Sequence, residues 1–412
     1  MTTTKNNEHK KLNFSSEQEQ SQACLNSAEH EKNQGRKVLN VPNLRFPEFQ
    51  GEWKKTKFGD IATGFDYGMN AAAKNYDGVN KYIRITDIDE ASSTYTDKDI
   101  VSPDGVLTDN YLVNNRDILL ARTGASTGKS YLYKKSDGKL YYAGFLIRAN
   151  VTTHDPYFVF SQLHTHRYWR WVSIMSARSG QPGINSQEYS SFPIYTTSIE
   201  EENKIAKLLS LLDERIATQN KIIEDLKKLK SAISESLFKE VKGDIVMLSE
   251  ICKISKGKQI NGEFLSEKGK YYVMNGGTEP SGYYNNYNVE ANTISISEGG
   301  NSCGYVQFNT TPFWSGGHCY TIQNIVRGVD NLYLYHYLKS KEYAIMKLRI
   351  GSGLPNIQKK DLAMFKIKIP LAEQQKTIST FLSSLERKTE IEEHILNAIQ
   401  KEKLYLLQHM FI

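Results

Sequence analysis

Ile205-Ala-Lys-Leu-Leu-Ser-Leu-Leu212 returns later in the chain as Ile378-Ser-Thr-Phe-Leu-Ser-Ser-Leu385. A shift of 173 residues superposes the two stretches without a gap. The same shift aligns other residues, mostly of core types: Gly180, Ile184, Phe192, Ile194, Glu200 and Phe238 fall on Gly353, Ile357, Phe365, Ile367, Glu373 and Phe411. Matches of this kind at a single register indicate that the chain is an internal duplication.

The two halves also begin alike. Phe58-Gly-Asp-Ile61 resembles Leu248-Ser-Glu-Ile251 at a shift of 190, so the first half holds about 17 additional residues. Each half then runs through a stretch rich in Gly, Asn and Tyr, in which short alternating segments predict half-buried strands. Examples are residues 81–88 and 292–297. Residues 136–139, with their Asp-Gly pair, predict a hairpin turn, and short helices are expected near 157–173 and 331–348.

Each half ends in a long amphipathic stretch with apolar residues every three or four positions. In the first copy these are Ile205, Leu208, Leu209, Leu212, Ile216, Ile222, Ile223, Leu226, Leu229, Ile233 and Leu237. In the second they are Ile378, Phe381, Leu382, Leu385, Ile391, Ile395, Ile399, Leu406 and Met410. Ser198 and Glu201 predict a capping box at the start of the first helix, and Gly243 predicts its end.

A helix of ~40 residues is roughly 60 Å long, and a narrow apolar stripe of that length needs a partner. The other copy is the nearest partner, and a two-fold relation between the copies makes the pair antiparallel, with a globular domain at each end. The predicted fold class is α+β, with two turn-rich mixed α/β domains that alternate with two long helices in an antiparallel coiled coil. The expected boundaries are a disordered tail at 1–40, domains at 41–198 and 243–371, and helices at 199–242 and 372–412.

Composition places limits on the function. The 412 residues carry a net charge of +6, with the excess in 41–198 and 243–370, which is only a weak signal for a polyanionic partner. Since no run of 18 apolar residues and no apolar leader segment is present, a membrane or secreted protein is not expected. The four cysteines form no paired motif and are expected to be reduced thiols in a cytoplasmic protein.

No catalytic or metal-binding motif is complete. Residues 122–130 resemble a phosphate-binding loop, but Gly124 and Gly128 enclose three residues where four are needed, so a Gly/Ser/Thr hairpin tip with Lys129 in solvent is expected. The fragments Asp155-Pro-Tyr157, Pro103-Asp104 with Asp137-x-Lys139, and His164-x-His166 are too incomplete for methyl transfer, nuclease chemistry or a metal site. We expect a binding or scaffolding protein with no catalytic residues, metal or cofactor of its own.

Several short motifs in order carry a family resemblance. Asn43-Leu-Arg-Phe-Pro-Glu-Phe49 is followed by Trp53, Gly180-x-Pro-x-Ile184 returns as Gly353-Leu-Pro-Asn-Ile357, and Ile369-Pro-Leu-x-Glu-Gln374 precedes the second helix. Together with the duplication, these motifs resemble the specificity subunit of type I restriction–modification systems over residues 41–412. The first-copy junction departs from that pattern, since Tyr195–Glu201 lacks the proline and the Glu-Gln pair.

The resemblance implies that each globular domain is a target recognition domain that reads one half of a bipartite sequence in double-stranded DNA. It implies that the helices set the gap between the halves and dock two modification (methyltransferase) subunits, with restriction (translocase and nuclease) subunits completing the complex. Such a subunit is not itself an enzyme, and S-adenosylmethionine, ATP and Mg²⁺ belong to its partners. The alternative is a coiled-coil scaffold whose globular domains bind protein or glycan.

Candidate DNA-contacting residues are polar and basic side chains on the predicted loops, although any one loop can also be an ordinary solvated turn. In the first domain they are Tyr67, Asn70, Arg84, Thr86, Arg122, Thr123, Ser126, Lys129, Arg178 and Gln181. In the second they are Lys256, Lys258, Gln259, Asn275, Thr278, Asn301, Ser302, Arg349 and Ser352.

Overall fold

The structure, a computed structural model, describes residues 39–177, 181–351, 353 and 355–412. The described residues form two compact units, residues 39–211 with 402–412 (unit 1) and residues 212–401 (unit 2). The predicted disordered tail, apart from Leu39 and Asn40, lies outside the described residues. The units divide the chain inside both long helices, so the domain boundaries drawn from the sequence stay a prediction.

Unit 1 has ten strands and the start of a long helix. Its strands are β1 Lys54–Lys57, β2 Ala62–Tyr67, β3 Ala72–Asn75, β4 Lys81–Ile83, β5 Val101–Asp104, β6 Asp117–Ala121, β7 Ser130–Leu132, β8 Leu140–Tyr142, β9 Leu146–Val151 and β10 Pro193–Thr196. Its helices are α1 Phe58–Ile61, α2 Pro156–Gln162, α3 His166–Met175, α4 Ser186–Ser191 and the first part of α5 Ile199–Glu240. Short 3₁₀ turns lie at Ile85–Asp87, Asp109–Tyr111, Gly124–Ser126 and Lys135–Asp137.

The main sheet of unit 1 is antiparallel, in the order β2-β9-β6-β7. Three two-stranded sheets join it, β1-β10 and β3-β5 antiparallel and β4-β8 parallel. Leu119, Tyr131 and Leu146 of the main sheet pack with Ile83 and Tyr142 in one buried apolar cluster. That core fixes the positions of the loops that leave the main sheet.

Unit 2 repeats this arrangement with fewer strands. Its strands are β11 Asp244–Met247, β12 Lys253–Lys256, β13 Tyr271–Met274, β14 Tyr283–Tyr284, β15 Thr293–Ser297, β16 Val306–Asn309, β17 Trp314–Ser315, β18 Cys319–Gln323 and β19 Lys366–Ile369. Its helices are α6 Leu248–Ile251, α7 Asn331–Ser340, α8 Glu342–Met346, α9 Lys359–Ala363 and most of α10 Ala372–His409, with a 3₁₀ turn at Gly262–Phe264. The main sheet is antiparallel in the order β12-β18-β15-β16, beside β14-β13-β17 and β11-β19.

Equivalent elements confirm the duplication. β1 pairs with β10 so that Lys54 faces Thr196, and β11 pairs with β19 so that Asp244 faces Ile369, which is the same pairing at shifts of 190 and 173. The aromatic rings that close the two units are equivalent as well. Phe411 packs on Phe158 and Trp53 in unit 1, and Phe238 packs on Tyr333 and Tyr337 in unit 2.

The two long helices are antiparallel where both lie in unit 2. The Gln219 Nε2 donates to the Glu392 carbonyl at 3.1 Å, and Lys230 Nζ lies 2.7 Å from Glu386 Oε1, so the partner number falls as the α5 number rises. Gln219 and Glu392 differ by 173 positions and are therefore equivalent residues that face each other, which places the pseudo-two-fold axis at this pair. The predicted coiled-coil pairing is confirmed.

The composition of the helix seam differs from the predicted stripe. Ile222 and Leu229 of α5 and Phe381 and Ile391 of α10 are exposed, although the sequence assigned them to the buried stripe. Gln219, Ile223, Thr389 and Leu382 are buried. The physical reason is that two paired helices bury only one narrow stripe, which repeats every seven residues. Apolar residues one position to either side of that stripe stay exposed.

Several local predictions need correction. Residues 81–88 hold a three-residue strand followed by a 3₁₀ turn, and the turn at 136–139 joins β7 to β8, which lie in different sheets and form no hairpin. Ser198 accepts from the Glu201 N–H at 3.3 Å, but the Glu201 carboxylate binds Arg45, so the capping box is incomplete. α5 ends before Gly243, where a Cβ would stand 2.4 Å from the Ile369 carbonyl oxygen. The short helices expected near 157–173 and near 331–348 are confirmed. The strand expected at 292–297 is confirmed at 293–297.

Candidate nucleic-acid interface

Four segments of unit 1 meet at one edge of its main sheet. β2 and β6 end there at Tyr67 and Ala121, and β9 and β7 begin there at Leu146 and Ser130. Because neighbouring strands are antiparallel, the loops that follow β2 and β6 and precede β9 and β7 leave the sheet on the same side. We call residues 67–70, 122–129, 143–145 and 181–183 the first loop edge.

Arg122 is the central side chain of the first loop edge. Its guanidinium carbon lies 4.7 Å from the centroid of the Tyr67 ring, and its backbone N–H donates to the Phe145 carbonyl at 3.0 Å. Thr123 forms a β-bridge with Gly183, which brings the segment 181–183 to this edge. The rings of Tyr67 and Phe145 are both exposed, at 42% and 57%. An arginine that rests on one exposed ring, with a second exposed ring on the same edge, can bind phosphate, guanine or an unstacked base.

Four further predicted residues of this edge differ in how exposed their side chains are. Asn70 and Gln181 are exposed, and Ser126 lies half-buried in the 3₁₀ turn Gly124–Ser126. Lys129 was expected in solvent, and that expectation is wrong. Its side chain is 18% exposed and its Nζ lies 3.2 Å from Glu90 Oε2, because the neighbouring carboxylate holds the ammonium against the protein.

Arg84 and Thr86 are tied to nearby carboxylates. The Arg84 guanidinium donates to both oxygens of Asp87, at 2.9 and 2.8 Å, and to Asp99 at 3.0 Å. These hydrogen bonds to Asp87 raise the pKa of the guanidinium. The Thr86 hydroxyl also donates to Asp87. Arg84 therefore shapes the loop after β4, and its role as a DNA contact stays a prediction.

Two other predicted positions, Arg178 and Ser352, lie outside the described residues.

Unit 2 gathers its predicted loops at the equivalent edge of its main sheet. β12 and β15 end there at Lys256 and Ser297, and β18 and β16 begin there at Cys319 and Val306. The loop after β13 joins them, since the Asn275 Oδ1 accepts from the His318 N–H at 3.1 Å. We call residues 256–259, 275–278, 298–302 and 316–318 the second loop edge.

The second loop edge is held together by short polar contacts. The Lys256 Nζ lies 2.6 Å from Glu298 Oε1, and the Lys258 N–H donates to the Ser315 carbonyl at 2.8 Å. Gln259 and Asn275 pack so closely on Gly317 and Gly316 that a Cβ on either glycine would stand 2.4 Å from the amide oxygen of its neighbour.

The remaining predicted residues of unit 2 lie at or beside this edge. Thr278 and Asn301 are exposed, and Ser302 is half-buried. Arg349 is exposed and precedes a segment whose Ile350 and Asn356 form a β-bridge, and Asn356 also bridges Gly299 of the edge. The loops proposed from the sequence are thus brought together, and which of their side chains contact DNA stays a prediction.

Comparisons with known proteins agree with this arrangement. The family model described as the type I restriction modification DNA specificity domain matches residues 50–228 and again residues 240–401. The chain belongs to this family. The resemblance drawn from the motifs is therefore confirmed, and the alternative of a protein- or glycan-binding scaffold is not supported.

Relatives of the specificity family match different shares of the chain. The type I restriction enzyme MjaVIII specificity subunit of Methanocaldococcus jannaschii is 25% identical over 410 residues, which cover 87% of this chain and 91% of that protein. The putative type I specificity subunit S.MpnORF638P of Mycoplasma pneumoniae is 35% identical over 147 residues, but the match spans only 38% of that protein and 35% of this chain. The crystal structure of a type I restriction–modification S subunit from M. genitalium has the same fold, with a TM-score of 0.66, 18% identity, and coverage of 90% of this chain and 99% of that one.

The two specificity domains hold their loop edges with the same backbone contacts. The Gly68 N–H donates to the Leu146 carbonyl at 3.1 Å in the first, and the Gly257 N–H donates to the Cys319 carbonyl at 2.9 Å in the second. A Cβ on either glycine would stand 2.2 Å from a backbone oxygen, that of Ala143 or of Gly316. Only glycine allows the strand end to approach the neighbouring loop this closely.

Three residues of the loop edges are absent from the candidates predicted from the sequence: Phe145, Glu298 and His318. An exposed phenylalanine and an acidic residue do not stand out as DNA contacts in a search for basic and amide side chains. The repeat contained the signal, because the shift of 173 places Phe145 on His318, and both rings are exposed, at 57% and 63%.

Three buried thiols lie in the second specificity domain. Cys252, Cys303 and Cys319 are free, and burial raises the pKa of the Cys252 thiol to about 12 and that of Cys319 to about 11. They are therefore neutral core residues at physiological pH. Among the described helices, none is long and apolar enough to cross a membrane.

Proposed function

We propose that this chain is the DNA sequence-recognition subunit of a type I restriction–modification complex, and that each specificity domain reads one half of a bipartite, asymmetric site in double-stranded DNA. The observation that carries the proposal is the pair of loop edges, which share one backbone frame but carry different side chains. Identical readers related by a two-fold axis read a palindrome, whereas two different readers read two different half-sites. The cytoplasmic location expected from the sequence belongs to this proposal.

The long helices set the distance between the half-sites in this proposal. The 42 residues of α5 correspond to about 63 Å at ~1.5 Å per residue, which is less than two turns of B-DNA at ~34–36 Å per turn. The Gln219–Glu392 pair supports a single register, since a buried polar contact in a coiled coil selects one alignment of the helices. A fixed register gives one spacer length.

The helices also supply the docking surface for two modification (methyltransferase) subunits, and restriction (translocase and nuclease) subunits join the resulting complex. Support comes from apolar residues on the outer faces of α5 and α10 in unit 2, where Ile222, Leu229, Phe381 and Ile391 are exposed. Apolar residues outside the seam of a helix pair are typical of a surface that binds another protein. The chain itself catalyses nothing, and S-adenosylmethionine, ATP and Mg²⁺ act in the partner subunits.

The proposal predicts that sequence-specific binding needs the partner. The purified chain alone is expected to bind duplex DNA weakly, with a dissociation constant of roughly 10⁻⁴–10⁻⁶ M that weakens steeply with salt. Reconstituted with its methyltransferase subunit, it is expected to bind its own site roughly a thousandfold more tightly than a duplex with one half-site scrambled. Fluorescence anisotropy at two salt concentrations measures both values. A reconstituted complex that binds all duplexes alike contradicts the proposal.

A further inference from the structure

Arg122 and Glu298 occupy equivalent backbone positions in the two specificity domains. The Arg122 N–H donates to the Phe145 carbonyl at 3.0 Å, and the Glu298 N–H donates to the His318 carbonyl at 2.9 Å. Their own carbonyls accept from the next equivalent pair, Ile184 at 2.9 Å and Ile357 at 2.8 Å. Each residue directly follows the last residue of its strand, Ala121 of β6 or Ser297 of β15. The backbone hydrogen bonds are thus the same in both domains, but the side chains of Arg122 and Glu298 carry opposite charges.

The neighbours of these two side chains are equivalent as well. Tyr67 faces Ile147 in the β2–β9 pairing, and Lys256 faces Tyr320 in the β12–β18 pairing, so both end their strands at the same place. Tyr67 lies under the Arg122 guanidinium, and Lys256 forms an ion pair with Glu298. At this position the first domain therefore holds an arginine on an aromatic ring, and the second domain holds a carboxylate paired with an ammonium.

The groups that remain available for hydrogen bonds are donors in the first domain and an acceptor in the second. Among the described residues, no ion pair ties the Arg122 guanidinium to a carboxylate, and its place over the Tyr67 ring leaves a fork of N–H donors. Glu298 is 8% exposed, and its Oε1 accepts from Lys256 and from the Tyr320 hydroxyl at 3.1 Å. Its Oε2 is buried and makes no hydrogen bond with any described residue, and His318 Nδ1 lies 3.8 Å away.

An unpaired oxygen on a buried carboxylate is costly, and an outside donor removes that cost. Burial and then the charge of Glu298 raise the pKa of Tyr320, so the phenol stays protonated as a donor to Oε1. Lys256 and Tyr320 thus hold one oxygen in place and leave the other at the second loop edge. The neighbouring His318 ring is 63% exposed, and its displacement by DNA would open Oε2 to a base.

We propose that Arg122 and Glu298 are equivalent specificity-determining residues that read opposite base edges. Arg122 reads a guanine, whose major-groove edge has two acceptors for the arginine fork. Glu298 Oε2 accepts from the exocyclic amino group of a cytosine or an adenine in the other half-site. This inference rests on the proposed function, and it assigns to each domain the base chemistry at one position of its half-site.

The test uses the reconstituted complex and a library of duplexes in which every position of both half-sites carries each base pair in turn. Arg122→Gln is expected to reduce discrimination at one guanine of the first half-site by about tenfold to a hundredfold and to leave the second half-site unchanged. Glu298→Leu, which removes both acceptor oxygens at similar size, is expected to do the same at one cytosine or adenine of the second half-site only, and the library distinguishes the two bases. Exposed Arg170→Gln and Glu267→Leu serve as matched controls that keep the wild-type pattern.

The readout is a ratio of binding to two duplexes by one preparation, so partial unfolding of a variant does not change it. Wild-type discrimination in either variant overturns the assignment of that residue, and a loss in the wrong half-site overturns both. If His318 closes on Oε2 and no base contacts it, discrimination in Glu298→Leu is unchanged, and this result also contradicts the proposal. A wild-type complex that shows no split preference contradicts the proposed function and is recognised before any variant is compared.

Discussion

Lengthening both helices by one heptad is expected to widen the gap between the two half-sites by about 3 base pairs and to leave both half-sites unchanged. Seven residues add about 10.5 Å of helix, and B-DNA rises ~3.4 Å per base pair. Residues 217–223 of α5 face residues 388–394 of α10, since Gln219 pairs with Glu392 in antiparallel helices. Duplicating these two facing segments preserves the seam, because the seven-residue repeat is kept.

The spacer is read from the methylation pattern of a strain that carries the lengthened protein. The matched control duplicates residues 217–223 alone, which pairs each α5 residue beyond the insertion with the wrong part of α10. That control is expected to lose methylation altogether. An unchanged spacer in the doubly lengthened protein means that the helices do not set the gap.

Replacing Gly68 or Gly257 by alanine is expected to abolish site recognition. The new Cβ would stand 2.2 Å from the Ala143 or the Gly316 backbone oxygen, and backbone cannot move aside as the end of a flexible side chain can. We expect a loss of about 3 kcal/mol in the free energy of unfolding and a displaced loop edge. Because both half-sites are required, either substitution alone is expected to remove binding to the full site.

The measurements are denaturant unfolding and anisotropy with the reconstituted complex. Gly262→Ala is the matched control, since nothing lies within 4 Å of its added Cβ, and it is expected to behave as wild type. If Gly68→Ala and Gly257→Ala both keep wild-type stability and affinity, the close backbone approach does not hold the loop edges.

The duplication could be predicted from the sequence because it depends on core residues that keep one register. Phe238 and Phe411 match at a shift of 173, and each closes the aromatic core of its own unit. The details of the helix seam could not be predicted in the same way. Apolar spacing of three or four residues marks a broad stripe, and only the pairing of two helices decides that Gln219 is buried while Ile222 is exposed.

The loops of the candidate interface were found because turn-forming residues and basic or amide side chains stand together in the sequence. Which of those side chains remains available depends on contacts between distant segments. Arg84 is held by Asp87 and Asp99, and Lys129 by Glu90. Arg122 instead rests on a ring and forms no ion pair with any described carboxylate. Glu298 becomes a candidate base contact only because it is buried and one of its oxygens is unpaired among the described residues. Neither property can be predicted from composition.

Sequencing the methylated bases of the host genome with and without this gene tests the central claim most directly. Loss of the gene is expected to remove methylation from one motif made of two different half-sites around a fixed gap, and to leave every other methylated motif in place. If all motifs persist, or if the motif that disappears is a single uninterrupted sequence, two dissimilar readers at a fixed separation are not what this chain provides.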